Sequence, residues 1–452
     1  MVIYNQSLLL RRIPMLAIQP QVEVQHNLLT RLADARIQTD SLFEMVRPEA
    51  LYARPIPERH RIVFYIGHLE AFDWNLFSAR LPGFKPFHPQ FDQLFAFGID
   101  PVDGGLPSDQ PGDWPSPAEV RGYVNRVRNT LDAALDSFGE PTLLNVAIEH
   151  RLMHAETLAY MLHQLPFEDK AHQYGPLVSS AGSVEFRTIE IPAGSATLGL
   201  SHNDPASFGW DNEYEAHSVA VPAFAIDQFK VTNGQYQQFM DAGGYDDKSL
   251  WSPANWTWKT EQNVTQPVFW LRRDGKWFQR TMFEEIPLPA EWPVYVSHAE
   301  ASAYARWAGK KLPSEAQWHR AAYGSHQKSE RPYPWGSDAP GRRHGYFDFQ
   351  KWEPSPVNAF PRGRSAFDVA GLLANGWEWT SSVFEPFDGF QPFPFYPGYS
   401  ANFFDGKHYV MKGGSTRTGA CMLRRSFRNW FQPHYQYVYA GFRCVSNEET
   451  PE

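Results

Sequence analysis

Two histidines, His150 and His154, stand four residues apart in a segment whose apolar positions repeat with a helical period. On a helix that spacing puts both imidazoles on one face about one turn apart, close enough to ligate one ion. A third nitrogen can come from His68, which follows Gly67 in another strongly helical segment; facing helices of a bundle are where metal ligands converge. Three neutral nitrogen ligands without a thiolate suit Fe, Zn, Cu or Ni alike, so ligand type alone does not name the metal. Glu156 falls two residues past His154, roughly 200° around a helix. It is expected to support the site or the fold rather than bind the same ion.

These histidines need a rigid frame. From about residue 20 to 168 the pattern is helical, and the segments 59–80 and 141–165 carry apolar residues at three- and four-residue steps. That pattern predicts a four-helix bundle. Between the two segments lies the loop 98–117 (GIDPVDGGLPSDQPGDWPSP), too irregular for a helix and long enough to carry function. Residues 169–184 lose the periodicity and read as a linker. Residues 185–448 are rich in Gly, Pro and Trp, with short strands at FRTIEIPAG and GFRCVS and short helices at NGQYQQFMDAG and SHAEASAYARWAGK. The expected fold class is therefore α+β in two domains, a helical bundle followed by a loop-dominated domain. No internal repeat is visible.

The bulk properties exclude several function classes. A chain of 452 residues is more than one hydrophobic core usually serves. A net charge of −9 and the lack of a Lys/Arg run leave no field for a phosphate backbone, so no nucleic-acid partner is expected. With 33 Phe, 16 Trp and 37 Pro, many loops must be pinned by rings, and such loops build concave binding sites. The two cysteines, Cys421 and Cys444, exclude a disulfide framework or a Cys-rich zinc module and suit a reducing compartment, with a single bridge between them left open. The N-terminal apolar run is broken by Arg11 and Arg12. With no cleavage pattern and no run of about 18 apolar residues, a cytoplasmic protein with no membrane contact is expected.

The histidine elements, Gly67-His68 and His150 to Glu156, together with later motifs, resemble the ergothioneine-biosynthetic sulfoxide synthases, the EgtB family. The later motifs are IPAGSATLGL (191–200), FAIDQFKVTNGQYQQFM (224–240), WAGKKLPSEAQWHRAAYG (307–324), NGWEWTSS (375–382), KGGSTRTG (412–419) and RRSFRNWFQPH with AGFRCV (424–445). The resemblance implies a DinB-like helical bundle followed by a domain like the formylglycine-generating enzyme, with a C-type-lectin-like fold. It implies Fe(II) held by His68, His150 and His154, O2 as cosubstrate, and hercynine, the trimethylated histidine, as substrate. Asn429 and Trp430 match the pair that holds hercynine in that family. Physics agrees with that role: an aromatic face attracts a quaternary ammonium, and an amide can bond a carboxylate or a ring nitrogen. Ser314 reads as a helix cap, and Trp318, Trp377 and Trp379 read as core rings.

Departures from the family pattern bear on the second substrate. Members that take γ-glutamylcysteine hold its carboxylates with an Asp directly after the Asn-Trp pair and an Arg four residues further; here those positions are Phe431 and Tyr435. No Arg occurs between Arg80 and Arg121, so a dicarboxylate loses its natural clamps. The family's catalytic tyrosine is missing from the expected places, where Phe393 and Phe395 stand, and Tyr396 is the nearest candidate. The loop 98–117 offers Asp100, Asp103, Asp109, Asp113 and Trp114, groups that suit sugar hydroxyls stacked on a ring. That set resembles the selenoneine synthases, relatives that take a selenosugar. The alternatives are a sulfoxide synthase using cysteine or γ-glutamylcysteine, a DinB-like metal-dependent thiol transferase or hydrolase, and a non-enzymatic lectin-like binding module. Formylglycine generation needs a reactive cysteine pair, and Cys421 has no partner nearby in the sequence.

Overall fold

In the computed structural model, residues 18–447 are described except 82, 99–105, 137, 172–183 and 205–206, and side chains are described from residue 26. Five helices form the first domain: α1 (Ile18–Glu44), α2 (Ile62–Ser78), α3 (Pro89–Phe97), α4 (Pro117–Leu135) and α5 (Pro141–Gln164). Helix α4 shows how the sequence starts and faces a helix. Ser116 and Glu119 form a reciprocal capping box ahead of Pro117, and Val120, Tyr123, Val127, Leu131 and Leu135 make the buried stripe. Helix α2 packs on α3, α4 and α5, and α1 packs on α5, so the four long helices make the bundle and α3 is a short addition.

One buried ion-pair cluster fixes the register of α2 against α5. The Arg151 guanidinium donates to Glu70 at 2.9 Å and to Asp73 at 2.8 Å, and its Nη2 also donates to the Leu69 carbonyl at 3.1 Å. All three charged side chains are buried. Because Arg151 adjoins His150 and Glu70 lies just past His68, this cluster also sets the histidines opposite each other.

The second domain is built from short strands and capped helices. Its central sheet runs in the order Asn429–Phe431, Tyr409–Gly414, Gly376–Val383, Ala440–Gly441; the last pair is parallel and the others are antiparallel. Asn429–Phe431 is thus an edge strand. The helices Asn233–Asp241, Pro253–Glu261, His298–Trp307 and Glu315–Tyr323 are each capped by the preceding Thr232, Ser252, Ser297 or Ser314. The cap expected at Ser314 is present, with Gln317 as its reciprocal partner. Trp318 and Trp379 are fully buried. Among the described residues, no helix is long and apolar enough to cross a membrane.

The remaining faces of α5 carry the contact between the domains. Glu149 accepts from Trp210 Nε1 at 2.8 Å and from Arg424 at 2.7 and 3.0 Å, and Arg424 also binds Glu213. Glu156 accepts from Trp377 Nε1 at 3.0 Å, from Thr418 at 2.8 Å and from Ser415. Its supporting role is therefore structural, and Trp377 is more than a core ring because its indole N–H reaches across to α5. His163 adds contacts to the Arg280 carbonyl at 2.9 Å and the Tyr439 hydroxyl at 3.2 Å.

Truncating Arg424 to Ala leaves Glu149 and Glu213 buried without their cation, and removing one partner of such a cluster costs about 3–5 kcal/mol. Denaturant unfolding of Arg424→Ala is expected to show a loss of that size, and adding Glu149→Gln is expected to recover part of it.

Candidate metal centre and substrate cavity

The three histidines converge. One ring nitrogen from each of His68, His150 and His154 lies within 4.8 Å of the other two. Their ring centroids are 5.3, 4.7 and 4.5 Å apart. Each ring is oriented by its neighbours. His68 Nδ1 donates to the Phe95 carbonyl at 2.7 Å, which leaves Nε2 as the inward lone pair, 3.1 Å from His154 Nε2. Gly67 makes this possible: a Cβ there would lie 2.4 Å from the Phe95 ring, so only glycine lets α3 approach closely enough. His150 stacks on Phe72 at 3.4 Å with the planes 10° apart.

Burial keeps these imidazoles neutral. It lowers His68 to about 4 despite the opposing bond to Phe95, and it holds His150 and His154 well below the usual histidine range, helped by the neighbouring imidazoles. Both nitrogens of His150, and Nδ1 of His154, are buried without a hydrogen-bond partner among the described residues. Unpaired buried lone pairs are costly, and a metal ion at the centre satisfies those that point inward. The donor set is three neutral nitrogens with no thiolate, which fits Fe(II) and equally other first-row divalent ions.

A cavity of about 540 Å³ opens beside the triad, between α5 and the edge strand Asn429–Phe431. His150, Met153, His154, Thr157 and Tyr160 line it from α5, and Tyr396, Asn429, Trp430, Phe431 and Tyr435 from the second domain. The structure thus gathers seven of the candidate ligand and substrate residues on one cavity, with Glu156 and Trp377 also in its wall and His68 behind at the triad. Asn429 Oδ1 accepts the Trp430 backbone N–H at 2.9 Å, so its amide donor is left for a ligand. Trp430 is stacked on Phe384 at 4.1 Å and meets the edge of Tyr399 at 5.4 Å. Phe431 and Tyr435 stack on each other at 5.0 Å. Tyr396 sits 5.2 Å from the Phe72 ring and 6.3 Å from the His150 ring, and burial together with Asp211 pushes its phenol up to about 12.

The loop expected to meet a sugar is arranged differently. Trp114 is buried in the bundle, stacked near Phe95 and edge-on to Phe64, and its indole donates to Asp109 at 2.7 Å. It is not among the residues lining the cavity. Asp109 is held by Arg54 and by Arg61, the latter at 2.7 Å. Asp113 accepts the Gln110 backbone N–H at 2.7 Å. Asp109 and Trp114 thus pin the loop to the bundle and are committed to Arg54, Arg61 and each other, while Asp113, which is exposed, closes a turn within the loop. Asp100 and Asp103 lie outside the described residues.

Other lining residues escaped the sequence reading. Met153 and Thr157 follow His150 at helical spacings of three and seven, so the stripe rule could have found them. Arg59, in the segment before α2, had no such signal. It donates to Tyr435 at 2.8 Å and to Tyr160 at 2.7 Å. The two thiols are unbridged, with Cys444 buried and Cys421 partly so.

The neutral imidazoles make a pH prediction. Their folded values lie below the ordinary 6.5, so as pH falls the unfolded chain takes up protons that the metal-free native state refuses. Stability is fully present above about 6.5 and is lost as pH falls toward 4. Melting of chelator-treated protein across that range is expected to show a steady drop, and a smaller one in His150→Phe.

The comparisons with known proteins agree with this architecture. The chain matches the DinB superfamily over residues 31–173 and the sulfatase-modifying factor enzyme 1-like domain over residues 178–448. It is 38% identical over 337 residues to a hercynine oxygenase of Mycobacterium tuberculosis, covering 73% of this chain and 78% of that protein. A hercynine oxygenase of Mycolicibacterium thermoresistibile is 36% identical over 340 residues, covering 73% and 75%. Ergothioneine biosynthesis protein 1 of Neurospora crassa is 28% identical over 498 residues, covering 89% of this chain and 55% of its own length. With both domains matched by family models and the hercynine oxygenases 36–38% identical over 73% of the chain, the chain belongs to the hercynine oxygenase family.

Proposed function

We propose that this chain is an Fe(II)- and O2-dependent enzyme that joins a selenium or sulfur donor to the imidazole of hercynine. The observation that carries the reading is a three-imidazole cluster, two of whose rings, His150 and His154, line one cavity with Asn429 and Trp430. His68, His150 and His154 would hold the iron, whose chemistry when bound is to activate O2 and to take a soft chalcogen as ligand. Overall, the imidazole C–H and the donor's S–H or Se–H are lost and a carbon–chalcogen bond forms. One oxygen atom of O2 stays on the chalcogen and the other leaves as water.

The protein's own groups bind and orient. Trp430 offers ring surface to the trimethylammonium, which cannot donate hydrogen bonds, and the Asn429 amide donates to the carboxylate or ring of the same substrate. Tyr396 stays protonated at neutral pH and so is placed to donate a proton, not to accept one. The aromatic wall of Tyr396, Tyr399, Phe431 and Tyr435 limits water around the reacting groups.

For the donor we favour a neutral selenosugar, with cysteine second and γ-glutamylcysteine third. Phe431 and Tyr435 fill the clamp positions with rings, and among the described residues Arg59 is the one arginine lining the cavity. A donor with two carboxylates would leave at least one without a guanidinium. Trp114 and Asp109 no longer support a sugar, so the choice rests on the missing clamps alone. The other reading, an ergothioneine-type sulfoxide synthase, differs only in this donor.

Three outcomes are expected. His68→Ala, His150→Ala and His154→Ala each lose iron, read by metal analysis after anaerobic loading, while remaining folded; full occupancy in any one removes that residue from the ligand set. Trp430→Ala weakens hercynine binding more than histidine binding, by about 1–2 kcal/mol, and equal losses would reduce the ring to packing. In an O2-dependent product assay by mass at matched donor concentrations, a selenosugar outcompetes γ-glutamylcysteine; the reverse order would make the chain an ordinary sulfoxide synthase.

A further inference from the structure

The cavity has two chemically distinct ends, and α5 measures the distance between them. At one end the Tyr399 hydroxyl reaches Met153 at 3.4 Å, and Tyr399 meets Trp430. At the other end Arg59 bonds Tyr160. Met153 and Tyr160 are seven residues apart on one helix, a rise of about 10 Å. His154 lies between them and faces the triad.

Arg59 is held in place, yet part of it is uncommitted. Its Nε and Nη2 are engaged by Tyr435 and Tyr160, and its guanidinium lies 5.1 to 5.9 Å from the ring centres of Tyr435, Tyr160 and Phe431. Its Nη1 has no hydrogen-bond partner among the described residues, and it lines the cavity. Other guanidiniums packed inside this chain are matched by acids, Arg151 by Glu70 and Asp73, Arg424 by Glu149 and Glu213, Arg443 by Glu378, whereas the buried Arg417 has no acid beside it among the described residues and lies over the Tyr439 ring at 3.8 Å. No described carboxylate pairs with Arg59. A cation fixed by two phenols, with one face turned to a cavity, is a preorganised partner for an anion.

We propose that Arg59 forms a carboxylate subsite at the end of the cavity remote from Trp430, taking the acid group of a bound substrate. This inference rests on the proposed hercynine reaction and deepens it. Two sources supply that chemistry: the carboxylate of the betaine itself, reaching away from an ammonium held at Trp430, and a single carboxylate on the chalcogen donor. Tyr160 and Tyr435 act as positioning residues that stop the guanidinium from swinging out. Thr157 anchors Tyr160 in turn, accepting its hydroxyl proton at 3.3 Å.

The test is anaerobic titration calorimetry on iron-loaded protein with two ligand pairs that differ only in the acid group. The first pair is hercynine and trimethylhistamine; the second is cysteine and cysteamine, titrated with hercynine present. Wild-type protein is expected to prefer the acid member of one pair by about tenfold or more, the usual size for a hydrogen bond to a charged group. Arg59→Gln is expected to bring that ratio close to one while leaving the acid-free ligand's affinity unchanged, and Arg59→Lys to keep part of it. Collapse in the first pair assigns the subsite to the betaine, and collapse in the second assigns it to the donor. If wild-type protein shows no preference in either pair, or if Arg59→Gln melts like wild type and keeps both ratios, Arg59 is a strap between the domains and the inference is overturned. If neither hercynine nor trimethylhistamine binds wild-type protein, the functional reading itself fails, an outcome distinct from a change in ratio.

Discussion

The Arg151 cluster is the constraint on which the site depends. A guanidinium and two carboxylates buried between α2 and α5 are expensive to desolvate, and apolar residues of similar volume would often be at least as stable. What the cluster provides is register. Arg151 must meet Glu70 and Asp73 together, so α2 cannot slide or rotate by one residue against α5 without stranding a buried charge. Since His68 and His150 sit beside these groups in sequence, a slip of one residue would also separate the ring nitrogens that now lie within 4.8 Å. The ion cluster and the candidate metal centre are two readouts of one helix alignment.

Helix α5 serves three neighbours at once, which explains why polar groups appear on so much of its surface. Arg151 faces α2, the stripe from His150 to Tyr160 faces the cavity, and Glu149, Glu156 and His163 face the second domain. Each buried carboxylate on the domain-facing side accepts two or more donors, as low-dielectric surroundings require. The same dense polar docking holds the edge strand Asn429–Phe431 across from the histidines. Trp377 and Thr418 bind Glu156, and Trp377 lies in the strand of the sheet that pairs with Tyr409–Gly414, next to the edge strand. The substrate wall is thus tied to the metal-bearing helix through a short path of directed bonds.

What could be read from the sequence follows from this division. The bundle, the capped helices and the histidine pair rest on local spacing, and local spacing survives folding. His68 was legible from its place in a facing helical segment and from the Gly-His element of the family resemblance; the need for Gly67 itself appears only in the structure, where the Phe95 ring packs against it. Asn429 and Trp430 were legible only through the family resemblance, since a two-residue polar-aromatic step has no periodic signal. Arg59 was hidden because it lies 376 residues from Tyr435, its partner across the domain interface. Asp109 and Trp114 of the 98–117 loop misled for the opposite reason. A Pro/Gly/Asp loop with one Trp has the composition of a ligand loop, yet Asp109, Arg54, Arg61 and Trp114 satisfy one another, and composition does not say whether polar groups face a ligand or each other.

Two of the phenols lining the cavity, Tyr396 and Tyr435, show how burial assigns chemistry. Tyr396 is pushed up to about 12 by burial, with Asp211 adding to the effect, so near neutrality it carries its proton and has no basic form to offer. Tyr435 is also driven above the ordinary phenol value by burial, but Arg59 pulls the other way by donating to its oxygen. The Tyr435 O–H is engaged by Tyr160, whose hydrogen bond also raises the phenol. The two groups therefore differ in what stabilises the oxygen after its proton leaves: at Tyr435 a guanidinium is already aimed at it, whereas at Tyr396 the nearby charge is negative. Proximity to the histidines favours Tyr396, and stabilisation of the phenolate favours Tyr435. Proton delivery next to the triad needs reach first, because a donor must lie within hydrogen-bond distance, or one water, of its acceptor. Tyr396, beside the His150 ring, meets that requirement more directly, while Tyr435 is committed through Arg59 to shaping the far end of the cavity.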